Sequence, residues 1–143
     1  MHFIRDLILC CSLCLGSANA AEHIFAIVTA APPPETPLSV AKAKLIYSGK
    51  VRSIPGIGKI ELIDLPSGHT LRIAFYQQFL NKSEAQMSRI WASLAFSGRA
   101  HPPQEFESDN FQALRQWLTH NPTTIGYLPI EEVGGLNVLL EVH

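Results

Sequence analysis

The chain lacks cysteine beyond its first residues, and it has no marked excess of charge of either sign. Its three cysteines, Cys10, Cys11 and Cys14, all lie near the N-terminus. The rest of the sequence therefore cannot form a disulfide framework, a thiol nucleophile or a cysteine metal site. Eleven Lys and Arg stand against twelve Asp and Glu without a basic run. This balance argues against nucleic acid as a partner and gives no support for binding to a membrane surface.

The N-terminal segment has the features of a secretory signal peptide. A charged start precedes an apolar stretch over residues 7–15, and small residues follow at Ala18 and Ala20. The apolar stretch is about half of the roughly 20 residues that a membrane span needs. We therefore predict a signal peptide over residues 1–20, cleaved after Ala20 or Ala21, without a membrane anchor. The leucines before Cys10 and Cys14 argue against lipidation.

The predicted periplasmic domain, residues 21–143, has the length of one ordinary domain. Its first feature is HIFAIVTA, an apolar run typical of a strand buried on both faces. The segment APPPETP then predicts an extended connection, because consecutive prolines exclude helix and sheet interior. A helix is predicted from the N-cap Ser39 to Gly49, with Val40, Ala43 and Tyr47 on its buried face.

The following segments alternate between strand and helix patterns. KIELIDL predicts a strand, and the apolar residues Leu71, Ala74, Phe75 and Phe79 predict a helix capped by Ser67 or Thr70. Ser83 and Gln86 form a capping box for a third helix, which buries Met87, Ile90, Trp91 and Leu94 before Gly98. A fourth helix is predicted from Ser108 to about His120, burying Phe111, Leu114 and Leu118. TIGYLP and NVLLEV predict closing strands, so the fold class is α/β with helices covering the sheet.

The corner DLPSGHTLR, residues 64–72, is the strongest polar constellation in the sequence. Helix starts offer unpaired N–H groups and a positive dipole end, which suit anions. Here Gly68 leaves the backbone open, Ser67 and Thr70 carry hydroxyls, and His69 and Arg72 supply positive charge. The corner is predicted as a strand-to-helix connection first and as a weak anion site second, because helix capping alone also explains its hydroxyl residues.

Other candidate chemistry finds less support in the residue pattern. Trp91 and Trp117 sit at helical spacing among apolar neighbours, which favours core packing over a ligand-stacking surface. The histidines lack the spacing of metal ligands. Asp64, Ser67 and His69 are the residue types of a hydrolase triad, but three neighbours on one turn point in different directions. We therefore expect no enzyme activity, no metal and no cofactor.

Four stretches together resemble a known family: LIYSGKV, IDLPSGHTLRIAFYQQFL, IWASLAFSGR followed by a Pro-Pro pair, and NPTTIGYLP. In this order they are similar to phosphate-type substrate-binding proteins of ABC transporters, within the type 2 periplasmic binding protein superfamily, and above all to short single-domain members. The similarity spans most of residues 38–129. It implies a single lobe with a central mixed sheet and about four helices, and it places the oxyanion-binding turn at residues 65–71.

Two functions follow as hypotheses. The first is a periplasmic solute-binding module that holds a small oxyanion such as phosphate weakly if at all, with Ser67, Gly68, His69, Thr70 and Arg72 as ligand-binding residues and an ABC permease as partner. The second is an envelope accessory protein that keeps the fold without the ligand site. The second is motivated by the carboxylate of Asp64, which repels an anion, and by a length that supplies about one of the family's two lobes.

Overall fold

The computed structural model describes residues 23–143. The predicted signal peptide and its cleavage after Ala20 or Ala21 lie outside the described residues. Strands and helices alternate along the described chain: β1 (Phe25–Thr29), α1 (Val40–Tyr47), β2 (Ser53–Ile54), β3 (Gly58–Lys59), β4 (Glu61–Asp64), α2 (Thr70–Phe75), a π-helix (Tyr76–Leu80), α3 (Glu84–Phe96), β5 (Gln104–Glu105), α4 (Phe111–His120), β6 (Thr124–Pro129), a 3₁₀ turn (Ile130–Glu132) and β7 (Asn137–Val142).

A central mixed sheet carries the strand order β5-β4-β6-β1-β7. β4 runs parallel to β5 and β6, whereas β1 runs antiparallel to β6 and β7. Every residue of β1 and β6 is buried, as expected for interior strands. The predicted α/β fold class, a mixed sheet with about four helices, is confirmed for the described residues.

Helix α1 begins where the sequence places it, because the Ser39 side chain accepts a hydrogen bond from the Lys42 N–H at 3.1 Å. Its buried face differs in part from the prediction. Ala43, Ile46 and Tyr47 are buried, while Val40 is 50% exposed. Gly49 has φ +75°, as a residue following a helix end often does.

The second helix differs from the prediction at both ends. His69, and not Ser67 or Thr70, is the N-cap: its Nδ1 accepts from the Leu71 N–H at 3.1 Å. After Phe75 the chain widens into the π-helix, which ends at Asn81 in the left-handed conformation. The predicted apolar positions Phe75 and Phe79 are nevertheless buried. The apolar positions 71–79 therefore extend over an α-helix and a π-helix, and their spacing alone does not distinguish the two.

The third and fourth helices follow the sequence closely. The capping box of Ser83 and Gln86 is present at the start of α3, and Trp91 is 6% exposed within the core. Trp117 is half-buried against the core. Helix α4 starts from the cap Asn110, two residues later than predicted, because the Ser108 hydroxyl instead accepts from the Asn110 N–H.

Two short features were missed by the sequence patterns. The turn-rich stretch after α1 contains the hairpin of β2 and β3, and Gln104 and Glu105 add β5 as an edge strand beside β4. Two-residue strands carry too short a pattern to be recognised. The edge strand β5 matters for the site, because it brings Glu105 next to the corner at the end of β4.

Candidate functional site

The corner after β4 is a tight turn that needs glycine. The His69 N–H donates to the Pro66 carbonyl at 3.0 Å, and Gly68 has φ +80°. A turn closed in this way, with positive φ at its third residue, matches a type II turn. Space for a side chain exists at Gly68, so backbone conformation is the reason for glycine here.

The two N–H groups of the turn already have acceptors within the chain. The Ser67 N–H donates to Glu105 Oε1 at 2.9 Å, and the Gly68 N–H donates to Glu84 Oε1 at 3.1 Å. Glu105 comes from β5, and Glu84 comes from the first turn of α3. Carboxylate oxygens of the same chain thus occupy the donors that the sequence suggested for an anion.

Arg72 lies among three carboxylates. Its Nε is 2.9 Å from Glu84 Oε1 and 3.5 Å from Asp64 Oδ2, and its Nη1 is 3.4 Å from Glu105 Oε2. The Nε contacts are ion pairs by distance only, because the Nε–H is not aligned for a hydrogen bond. Nη1 donates to the Leu65 carbonyl at 2.8 Å. The corner therefore contains three carboxyl groups and one guanidinium, so acidic groups outnumber basic ones.

Asp64 is buried and anchors a polar network beneath the corner. It is 4% exposed and accepts hydrogen bonds from the hydroxyls of Tyr76 and Tyr127 and from the Leu65 N–H. Burial raises the pKa of the Asp64 carboxyl above its ordinary value, against the hydrogen bonds and the charge of Arg72, which lower it. The network ties the end of β4 to the π-helix and to β6.

The tyrosines of this network belong to an aromatic core. The ring of Tyr127 stacks on that of Phe75, with centroids 3.8 Å apart and planes 4° from parallel. Burial, followed by the charge of Asp64, raises the pKa of both Tyr76 and Tyr127, so both hydroxyls stay protonated and donate. Their hydrogen bonds to Asp64 therefore serve the structure of the core.

The five residues predicted as ligand-binding are distributed over two environments. Ser67, Gly68 and Arg72 converge on Glu84 and Glu105. His69 turns toward α2 as its cap, where its Nδ1 accepts from the Leu71 N–H. Thr70 is exposed and forms the first residue of α2.

The sequence patterns did not identify four residues that contact the corner: Glu84, Glu105, Tyr76 and Tyr127. Glu84 carries a local signal, since it opens a helix with a capping box, but that signal explains the helix start and not the contact with Gly68. Tyr127 lies 63 residues from Asp64 in sequence. No local pattern predicts such a pairing.

Residues 23–143 hold no group of three or more His, Cys, Asp or Glu side chains that could bind a metal ion. Within the same residues, none of the helices has the length and apolar character to cross a membrane.

Among solved structures, the chain is similar to the crystal structure of an ABC-type phosphate transport receptor from Vibrio cholerae, with a TM-score of 0.59 and 17% sequence identity. The alignment covers 82% of this chain and 46% of the receptor, so the chain spans less than half of the receptor's length. No protein-family model matches the chain, and no curated protein matches it in sequence. At 17% identity the likeness concerns the fold alone. The chain has the fold of a single periplasmic-binding-protein-like lobe.

Proposed function

We propose that this chain is a periplasmic accessory module that uses a binding-protein lobe to recognise another protein of the cell envelope, and not to sequester an oxyanion. The observation that carries the proposal is the occupation of the corner by the chain's own carboxylates. Glu105 and Glu84 accept from the Ser67 and Gly68 N–H groups, where an oxyanion would have to accept.

The charge of the corner supports this proposal. A phosphate arriving there would have to displace two carboxylates held by folded elements, and it would meet a third at Asp64. Among the residues that the structure describes, Arg72 alone supplies an opposing charge at the corner, and it already contacts all three acids. Repulsion from these acids outweighs the attraction of one guanidinium at similar distances.

The part of the phosphate receptor that the alignment covers supports it too. Binding sites for small ligands are clefts that bury most of the ligand, and closure of two domains is a common way to form one. The aligned residues correspond to 46% of the phosphate receptor, about one lobe, and one lobe by itself does not close around a ligand. The predicted signal peptide over residues 1–20 would deliver this lobe to the periplasm, where an ABC permease or another envelope protein is available as partner.

Calorimetric titration with inorganic phosphate tests the proposal. The wild-type protein should give no saturable heat up to millimolar phosphate. The double variant Glu84→Ala/Glu105→Ala frees both N–H groups and removes two of the three carboxylates around Arg72, so it should gain weak, salt-sensitive binding. The matched control Glu107→Ala/Glu131→Ala removes the same charge at exposed positions elsewhere and should gain nothing. Tight binding by the wild type that Arg72→Ala abolishes would overturn the proposal.

The partner is tested by isolating the tagged, cross-linked protein from periplasmic extract. One reproducible envelope protein, identified by mass spectrometry, is the expected result. A clean monomer that also binds phosphate tightly would contradict an accessory role.

A second candidate is weak oxyanion binding at Ser67, Gly68, His69, Thr70 and Arg72. The fold of the phosphate receptor and the position of the turn at a helix start favour it. It requires Glu84 and Glu105 to swing away from the turn. Saturable phosphate binding by the wild-type protein in the same titration would support this candidate against the first.

A further inference from the structure

Most Lys and Arg residues of the described chain lie in stretches of sequence that lack acids. Residues 36–60 and 85–104 contain seven Lys and Arg without an Asp or Glu, whereas residues 105–143 contain six acids and one cation, Arg115. The two segments lack acids but lie far apart in sequence. They produce a strong positive potential only where folding brings their cations together.

Folding brings them together at one groove. The C-terminal end of α1 and the outer side of α3 border an open surface groove of about 890 Å³. Five cations line this groove: Lys50, Arg52, Lys82, Arg89 and Arg99. We call this set the basic groove. Half-buried Ile90 and Leu94 also line it.

The charges of the basic groove are not neutralised within the described chain. The ion pairs among residues 23–143 involve Arg72, Arg115 and His143 as cations and none of the five groove residues. Helix dipoles explain only part of the cluster. Arg99 follows the C-terminal end of α3, where a cation is favourable, but Lys82 precedes the positive N-terminal end of the same helix. The cations of the basic groove are therefore available to an external anionic partner.

A protruding aromatic side chain stands beside the groove. Phe96, the last residue of α3, is 96% exposed. It lies two turns from Arg89 on the same side of the helix and three residues before Arg99. An aromatic ring fully in water next to cations is the side-chain combination that anchors peripheral proteins at the boundary of lipid headgroups and acyl chains.

We propose that the basic groove and Phe96 dock this protein on the surface of an anionic phospholipid bilayer. Lipid phosphates would lie against the groove cations, and Phe96 would insert between headgroups. Four of the five cations are on exposed side chains, which suits a mobile array of phosphates. Phe96 would enter the layer of lipid headgroups, and this requires no preformed pocket. This proposal is independent of the corner at β4.

Vesicle flotation tests the proposal with the protein purified after export, its N-terminus determined by mass so that no signal segment contributes. Vesicles of equal parts phosphatidylglycerol and phosphatidylcholine should bind the protein, and binding should fall as salt rises. Pure phosphatidylcholine vesicles should not bind it. Absence of binding to the anionic vesicles at low salt would overturn the proposal.

Exposed-site variants locate the surface. Arg89→Gln/Arg99→Gln should lower binding by roughly 25-fold, since each surface cation contributes about fivefold. The matched control Lys42→Gln/Lys44→Gln removes two cations of α1 that lie outside the groove and should have a smaller effect. Phe96→Ser should weaken binding several-fold at unchanged circular dichroism.

Three outcomes would refute the assignment. Equal losses in the two double variants would mean diffuse attraction without a specific surface. Release of the protein by millimolar inorganic phosphate at constant ionic strength would mean a site for a small free anion. Binding to soluble polyglutamate as strong as to vesicles, with no dependence on Phe96, would mean an acidic protein partner.

Discussion

Replacing Asp64 by alanine tests the buried network on which the corner rests. The carboxylate is 4% exposed, and the tyrosines that donate to it are 3% and 2% exposed, so bulk water does not already solvate these groups. Three donors would be left unsatisfied: the hydroxyls of Tyr76 and Tyr127 and the Leu65 N–H. At about 1–3 kcal/mol for each unsatisfied buried group, and with the relieved burial of a carboxylate as an offset, we expect a loss of about 3 kcal/mol.

This loss is a large part of the roughly 5–15 kcal/mol that stabilises a typical domain. Urea denaturation followed by circular dichroism measures it. Asp109→Ala, at an exposed position, is the control and should change stability by less than about 0.5 kcal/mol. Asp64→Asn should lose less than Asp64→Ala, because the amide keeps one acceptor oxygen.

A double-mutant cycle with Tyr127→Phe separates the hydrogen bond from general damage to the core. The coupling should amount to about 1 kcal/mol or more, since the two groups contact each other. Additive effects of Asp64→Ala and Tyr127→Phe, or a loss below about 1 kcal/mol for Asp64→Ala alone, would refute the reasoning.

Three further predictions concern the core, a helix end and pH. Trp91→Ala should lower the free energy of unfolding by about 3–5 kcal/mol in denaturant titrations, and an unchanged midpoint would contradict the burial of this ring. Gly49→Ala should lower the melting temperature, because φ is +75° and a Cβ would lie 2.5 Å from Leu94 Cδ1. Gly98→Ala introduces the same kind of backbone strain without such a contact, so its melting temperature should fall less. The folded-state pKa of Asp64 is raised from 3.8, so its contribution to stability should fall as pH rises from 3.8 through the raised value. The difference in unfolding free energy between wild type and Asp64→Asn, measured as a function of pH, isolates this slope. A stability advantage of wild type that grows with pH would contradict the prediction.

Much of the fold was predictable because its signals are local. The apolar run of β1, the capping box at Ser83 and the glycines after α1 and α3 act within one turn or one strand, and each is confirmed. The errors are also local in origin. His69 replaces the predicted caps because capping depends on which side chain faces the helix start, and the residue types of Ser67, His69 and Thr70 do not decide this.

The sequence by itself determined the α/β class, the places where most helices begin and end, and the burial of Trp91. Tertiary structure decided what the corner contacts. Glu84 and Glu105 reach the turn from 16 and 38 residues away, and Tyr127 reaches Asp64 across 63 residues. It also decided where charge accumulates, because Lys50, Arg52, Lys82, Arg89 and Arg99 are scattered in sequence and meet only in one groove. The physical reason is that backbone preferences act between near neighbours, whereas burial and electrostatic fields depend on distances in space that packing alone sets.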